Sequence, residues 1–282
     1  MPAERLTPSQ ILYITPSLCL AFFIFNTLTG FWWTILTLPF KDYLHFAILH
    51  KMRMLLTANG IKNASIKAEL ELLLSSSIQD SKIVYIPTAT MIEDGDHTWC
   101  VNDLNRLYNL GWNEFNILEL NGIPRANIAR RMKNADAVFL EGGNVYHLVH
   151  SIVTNGLTDI FKEIIESKVY IGSSAGSMIF SQAFNEQSAE LFEEIPQLLQ
   201  LEKSSITSPF NLFEWYLKPH VNSPDFPERT DKWMEAIASK ADFPIYALDD
   251  ETALSIGDST VNVISEGIWK YYAKVTKTER QI

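Results

Sequence analysis

Five short apolar runs, each followed by a stretch with helical periodicity, most constrain what this chain can fold into. They are 54–57 (MLLT), 82–87 (KIVYIP), 115–120, 137–140 and 168–171. Continuous rather than alternating hydrophobicity is the pattern of strands covered on both faces. Between them, residues 66–74 place apolar side chains at 66, 68, 70, 72, 73 and 74, and helices are also expected near 101–110, 126–133 and from 145 onward. Strand–helix alternation at this spacing implies a mostly parallel sheet with right-handed crossovers and helices on both faces, whose ligand site lies at the carboxyl ends of the strands. After an acidic insertion at 182–203, the β-like runs 252–256, 261–265 and 268–272 are separated by Gly257-Asp258 and Glu266-Gly267, which suggests a closing antiparallel meander. The expected class is α/β, with short C-terminal antiparallel strands.

The run at 168–171 continues into Gly172-Ser173-Ser174-Ala175-Gly176-Ser177-Met178. A serine on a tight strand-to-helix turn needs glycines two before and two after, where a Cβ would collide with the folded-back chain. Ser174 alone among the three serines has both, so the spacing selects Ser174 as a candidate nucleophile. A serine hydroxyl needs a general base, usually a histidine oriented by a carboxylate. Of six histidines only His220 follows Ser174, in Leu217-Lys218-Pro219-His220-Val221-Asn222. Asp249, Asp250 and Glu251 follow an apolar run at 243–248 and are the candidate orienting acids. The order Ser, His, acid differs from the Ser, acid, His order of α/β-hydrolases.

Composition narrows the remaining choices. The formal net charge of −10, with no offsetting basic stripe, argues against a nucleic-acid partner. Cys19 and Cys100 form no framework of paired spacings, which suits a reducing compartment. His147 and His150 could pair on a metal, but no matching carboxylate motif accompanies them, so no metal or other cofactor is expected. Residues 6–40 carry no charged side chain, and 17–38 is long enough to cross a membrane as a helix. A membrane anchor is therefore the first expectation for the head, with a signal peptide, a buried hairpin or an upstream extension outside the working enzyme as alternatives. Lys41, Lys51 and Arg53 outnumber Arg5, which places the rest of the chain on the cytoplasmic side. The expected division is an apolar extension, 1–51, and a working domain, 52–282.

Four blocks, MRMLLTANG, VFLEGGNVYHL, YIGSSAGSMI and the pair KPHVN with YALDDETAL, together resemble the S51 serine peptidase family, which includes aspartyl dipeptidase (peptidase E) and cyanophycinase. The resemblance implies a fold of the flavodoxin-like, class I glutamine-amidotransferase-like kind over 52–282, and a Ser–His–acid triad. Matched residue by residue, the triad is Ser174, His220 and the acidic position after Asp249. The family commonly has glutamate there, whereas this chain has Asp250 in register and Glu251 one residue along. Asp250 is the expected third member and Glu251 the alternative. Acyl transfer also needs amide donors for the developing oxyanion, for which Ala175 and Gly143, or Gly142, are the candidates. The implied substrate is a short peptide, of Asp-X type for a peptidase E-like enzyme, with Arg229 and Asn144 as candidate substrate-binding residues. A non-catalytic membrane-associated binding protein on the same fold and a membrane-anchored esterase are the competing readings.

Overall fold

The computed structural model describes residues 19–23, 35–39, 52–258 and 260–274. The chain divides into two compact units, Met1–Ile48 and Leu49–Ile282. In the first, β1 (Cys19–Phe23) and β2 (Ile35–Pro39) pair antiparallel, with Cys19 opposite Pro39 and Phe23 opposite Ile35. The single helix expected over 17–38 is thus replaced by strand where that segment is described. The rest of 17–38 lies outside the described residues. Among the described residues no helix is long and apolar enough to cross a membrane.

The second unit is built on strands β3 (Arg53–Thr57), β4 (Lys82–Ile86), β5 (Glu114–Ile117), β6 (Ala137–Leu140), β7 (Val169–Ser173), β8 (Tyr216–Lys218), β9 (Ile245–Leu248), β10 (Thr252–Gly257), β11 (Thr260–Ser265) and β12 (Trp269–Tyr272). Its helices are α1 (Ala64–Leu74), α2 (Thr98–Tyr108), α3 (Arg125–Lys133), α4 (Val145–Thr154), α5 (Thr158–Ser167), α6 (Ala175–Met178), α7 (Glu186–Leu191), α8 (Ile195–Leu199) and α9 (Asp231–Ala238). The central sheet runs β11-β10-β3-β7-β6-β4-β5. The five strands from β3 to β5 in that order are mutually parallel, and the antiparallel hairpin β10–β11 extends the β3 edge.

Both faces of β3, β4, β6 and β7 are covered, which is why their sequences read as unbroken apolar runs, whereas β5, at the edge of the sheet, is partly exposed. Leu55, Tyr85, Phe139 and Ile171 join Ile66 and Leu70 of α1 and Leu107 of α2 in one core cluster. The intervening residues Met54, Leu56, Val138 and Tyr170 point to the opposite face and are equally buried. There α5 packs on β3 and β7. Neither α5 nor α9 is among the helices expected above, although Ile160, Phe161, Ile164 and Ile165 recur at helical spacing in α5 and Met234, Ile237 and Ala238 do so in α9.

The C-terminal runs do not make one meander. β10 and β11 pair as expected, but β12 leaves them and pairs antiparallel with β9, which lies parallel to β8 in a separate sheet, β12-β9-β8. The Asp249 carboxylate drives this redirection: Oδ1 accepts from the Glu251 amide and the Thr252 hydroxyl, and Oδ2 from the Ile268 amide. Closing those bonds folds the chain after β11 back over the end of β9.

Register decides where the carboxyl-end loops meet. Leu140 lies opposite Gly172 and Thr57 opposite Ser173, so the segments after β6, β7 and β3 emerge side by side. At the β7–α6 turn the chain passes so close to itself that a Cβ on Gly176 would sit 2.3 Å from the Leu140 carbonyl oxygen, and one on Gly172 2.6 Å from the Gly176 carbonyl carbon. A Gly176→Ala variant should therefore lose about 1–3 kcal/mol in chemical denaturation, the usual cost of overpacking a rigid site; an unchanged midpoint would show that the turn can relax.

Candidate active site

Ser174 caps α6 with φ 46° and ψ −108°, a backbone conformation that L residues with side chains rarely adopt. Tertiary bonds hold it there. The Ser174 amide donates to the Thr57 carbonyl at 3.1 Å, the Ser177 hydroxyl donates to the same carbonyl at 2.8 Å, and the Thr57 hydroxyl donates to the Gly172 carbonyl at 2.7 Å. The end of β3 is thereby tied across the turn, and the Ser174 side chain projects from its apex.

His220 follows β8, also at positive φ (64°), and is 9 % exposed. Its Nε2 lies 2.9 Å from Ser174 Oγ and its Nδ1 2.7 Å from Asp250 Oδ1. The second Asp250 oxygen accepts from the Ser223 hydroxyl at 2.7 Å and faces Lys62 Nζ at 3.7 Å. Burial tends to raise the Asp250 carboxyl, but the His220 and Ser223 hydrogen bonds outweigh it and hold the group well below the usual carboxylate range. Burial also dominates at His220, and lowers the imidazole below its ordinary value despite the pull of Asp250. The Phe226 ring covers the imidazole at a centroid distance of 4.7 Å.

The structure distinguishes the three candidate acids. Asp250 faces the imidazole, whereas Glu251 pairs with Lys62 at 3.2 Å and accepts from Asn63, and Asp249 ties the turn described above. Backbone trajectory decides this, since β9 ends with Leu248 and the chain turns at once into β10.

Of the three successive amides at 142–144, two are engaged. Gly142 N–H donates to the Glu141 carboxylate at 2.7 Å and Asn144 N–H to the Ala89 carbonyl at 2.9 Å. Among the described residues neither Gly143 N–H nor Ala175 N–H has a hydrogen-bond partner. The 142–143 segment lies against the serine, since a Cβ on Gly142 would come within 3.3 Å of Ser174 Cβ. Gly143 itself has φ 125°, and a Cβ there would meet the Ala89 carbonyl oxygen at 2.4 Å, so only glycine fits.

These groups open onto a cleft of about 520 Å³ whose lining includes Trp99, Ser174, His220, Phe226 and Arg229. The Arg229 guanidinium stacks over Phe226 at 3.8 Å and lies 3.5 Å from Glu228. Asn144 stands apart from this lining. It is fully buried, caps α4 by accepting from the His147 amide, and donates to the Gln197 carbonyl and Gln200 Oε1. The expected substrate contact is therefore occupied by a bond network that fastens the acidic insertion to the 141–144 loop.

Several cleft residues have no sequence signal. Lys218, 1 % exposed, pairs with Glu194 of the insertion, which also accepts from Tyr146 Oη at 3.0 Å. Lys218 sits in a three-residue strand too short to show a face, and its partner comes from an irregular insertion. Glu141 is fully buried, and burial first, then Asp103, pushes its carboxyl up to about 8. Ser223, three residues after His220, looks like an ordinary loop serine. Among the described residues no three His, Cys, Asp or Glu side chains are placed to hold a metal ion, His147 and His150 included.

A serine, an imidazole and a carboxylate in one hydrogen-bonded line, beside two free amides, are the parts that acyl transfer requires. Comparison with known proteins identifies a family of peptidases. The model for peptidase family S51 matches residues 54–264. An uncharacterized peptidase of Pasteurella multocida is 24% identical over 196 residues, covering 68% of this chain and 89% of that one. Peptidase E of a Nostoc species is 26% identical over 204 residues, covering 70% and 77%. In fold, the chain is similar to a crystal structure of a candidate peptidase E protein from Listeria monocytogenes, with TM-score 0.61 and 22% identity over 77% of this chain and 99% of that one. With the family model spanning the parallel sheet, the β7–α6 turn and the β10–β11 hairpin, the chain belongs to peptidase family S51.

Proposed function

We propose that the protein is a serine-type peptidase acting on short peptides, with Ser174 as nucleophile, His220 as general base and Asp250 as the orienting acid. The observation that carries this reading is the line from Ser174 Oγ to His220 Nε2, 2.9 Å, and from His220 Nδ1 to Asp250 Oδ1, 2.7 Å. Ser174 Oγ attacks the peptide carbonyl carbon while its proton passes to His220 Nε2. The Asp250 carboxylate stabilises the resulting imidazolium through the Nδ1–H bond, and the Gly143 and Ala175 amides receive the oxyanion. Collapse of the tetrahedral adduct breaks the C–N bond as His220 returns the proton to the leaving amine. Water then enters by the same route to release the acyl group.

Arg229 supports a preference for an acidic side chain. It is a cleft-lining cation stacked on the ring that covers His220, which sets it next to the reacting centre. A peptidase E-like preference for Asp-X dipeptides follows from placing the substrate carboxylate there.

Three measurements test the reading. Ser174→Ala should lower kcat/KM on Asp-X dipeptides by at least about 10³-fold, the scale on which a triad nucleophile acts; equal turnover by the two proteins would remove Ser174 from the mechanism. Arg229→Ala should lower kcat/KM on Asp-X by roughly 10–100-fold, the worth of a hydrogen bond to a charged group, with phosphonylation of Ser174 by a fluorophosphonate left within a few-fold of the parent rate. Loss of both together would argue that Arg229 supports the fold instead. Because burial lowers the His220 pKa, the neutral base persists into mildly acidic solution. The acid limb of kcat/KM should therefore fall below the ordinary histidine value of about 6.5, and a limb centred above 7 would contradict the assignment.

A further inference from the structure

The hydroxyl of Thr90 has no part in the chemistry above, yet it meets one of the two peptide planes whose amides form the proposed oxyanion site. Thr90 is fully buried on the turn 88–92 behind the 141–144 loop, and its Oγ1 donates to the Gly142 carbonyl at 2.9 Å. That carbonyl and the Gly143 N–H belong to the same peptide unit. The unit is trans, as every peptide bond in the described residues is, so the N–H points away from its carbonyl across a rigid plane. Holding the carbonyl from behind therefore sets the direction of the amide in front.

The bond is one side of a closed ring. Gly142 N–H donates to Glu141 Oε1 at 2.7 Å, Tyr85 Oη donates to Glu141 Oε2 at 2.9 Å, Tyr85 Oη lies 3.2 Å from Cys100 Sγ, and Cys100 Sγ lies 3.8 Å from Thr90 Oγ1. All four side chains are buried. Gly143 needs such restraint more than most residues, because glycine can rotate freely where a Cβ would otherwise limit it. Contact with Ala89 restricts its position, but only hydrogen bonds fix the plane of the preceding peptide.

We propose that Thr90 is a positioning residue for the oxyanion site, aiming the Gly143 amide at the carbonyl oxygen of the acyl group through its bond to the Gly142 carbonyl. The inference rests on the reading of Ser174 as nucleophile and Gly143 as oxyanion donor. Thr90→Val keeps the side-chain shape and removes the donor, whereas Thr90→Ser keeps the donor. The expected effect is on the reacting state rather than on binding, since the amide meets full negative charge only there.

The test is the rate of phosphonylation by a fluorophosphonate, in which the Ser174 Oγ–P bond forms, the P–F bond breaks, fluoride leaves and the serine proton passes to His220. The phosphonyl oxygen takes the oxyanion position. Thr90→Val should lower the maximal inactivation rate by about 10-fold or more, short of the roughly 10²–10³-fold lost with an entire donor, while the concentration giving half-maximal rate stays within about three-fold. Thr90→Ser should return the rate to within about three-fold of the parent, and thermal melting establishes that each variant is folded. If Thr90→Val does not fold, Thr90→Ala serves in the same comparison. A Val variant labelled at the parent rate overturns the role of Thr90 and leaves the Ser174 reading standing. A Ser variant as slow as a folded Val variant also overturns it, because the hydroxyl would then not be the cause. A parent protein that is folded but unlabelled at Ser174 overturns both.

Discussion

The hydrogen bond from the Ser174 amide to the Thr57 carbonyl holds together the part of the molecule on which everything else depends. Without it, a serine at φ 46° has no reason to stay there, and relaxing to an ordinary turn would carry the hydroxyl away from His220. The bond exists because β3 and β7 run parallel in register, with Thr57 opposite Ser173. It persists because Gly172 lets the turn fold back on its own backbone and Gly176 lets it close against Leu140 of β6. A secondary-structure property, parallel pairing of two buried strands, is thus converted into the posture of one side chain.

Around that serine, burial acts on two partners with opposite outcomes. It lowers the imidazole of His220, which favours the neutral form a base must have. The same burial would tend to neutralise Asp250, but the hydrogen bonds from His220 and Ser223, with Lys62 nearby, keep it ionised. A neutral imidazole resting on a charged acceptor is the state that the proposed mechanism requires, since an imidazolium can form there with its counter-charge already in place. The low-dielectric surroundings that raise the cost of each isolated charge also strengthen their mutual attraction.

The acidic insertion joins this arrangement from outside the parallel sheet. Glu194 reaches the buried Lys218, two residues before His220, and also accepts from Tyr146 on α4. Asn144 donates to Gln197 and Gln200 near the end of the same insertion. Loop 141–144 and the His220 strand are therefore both anchored to one added segment. Breaking a buried ion pair on one side leaves an uncompensated charge, so the insertion has strong reason to stay docked over the cleft.

Much of this is legible in the order of the residues, because local rules are sufficient for it. Covered parallel strands have to be apolar throughout, a tight strand-to-helix turn has to have small residues at fixed offsets, and His220 is the one histidine after Ser174. Those constraints act over a few residues and leave their mark along the chain. Three adjacent acids cannot be separated in the same way, since Asp249, Asp250 and Glu251 differ only in where a single turn directs them. Nor can Asn144 be distinguished from a residue facing substrate, or β12 from a third strand of a meander. The partners that decide these cases, His220 for Asp250, Gln197 and Gln200 for Asn144, Ile268 for Asp249, lie 19 to 56 residues away. The order of residues alone was enough to place the buried parallel strands and to pick the serine that sits at the bend. The tertiary structure alone decided which carboxylate and which amide face that serine, because a hydrogen bond depends on direction in space and the order of residues does not encode direction until the chain has folded.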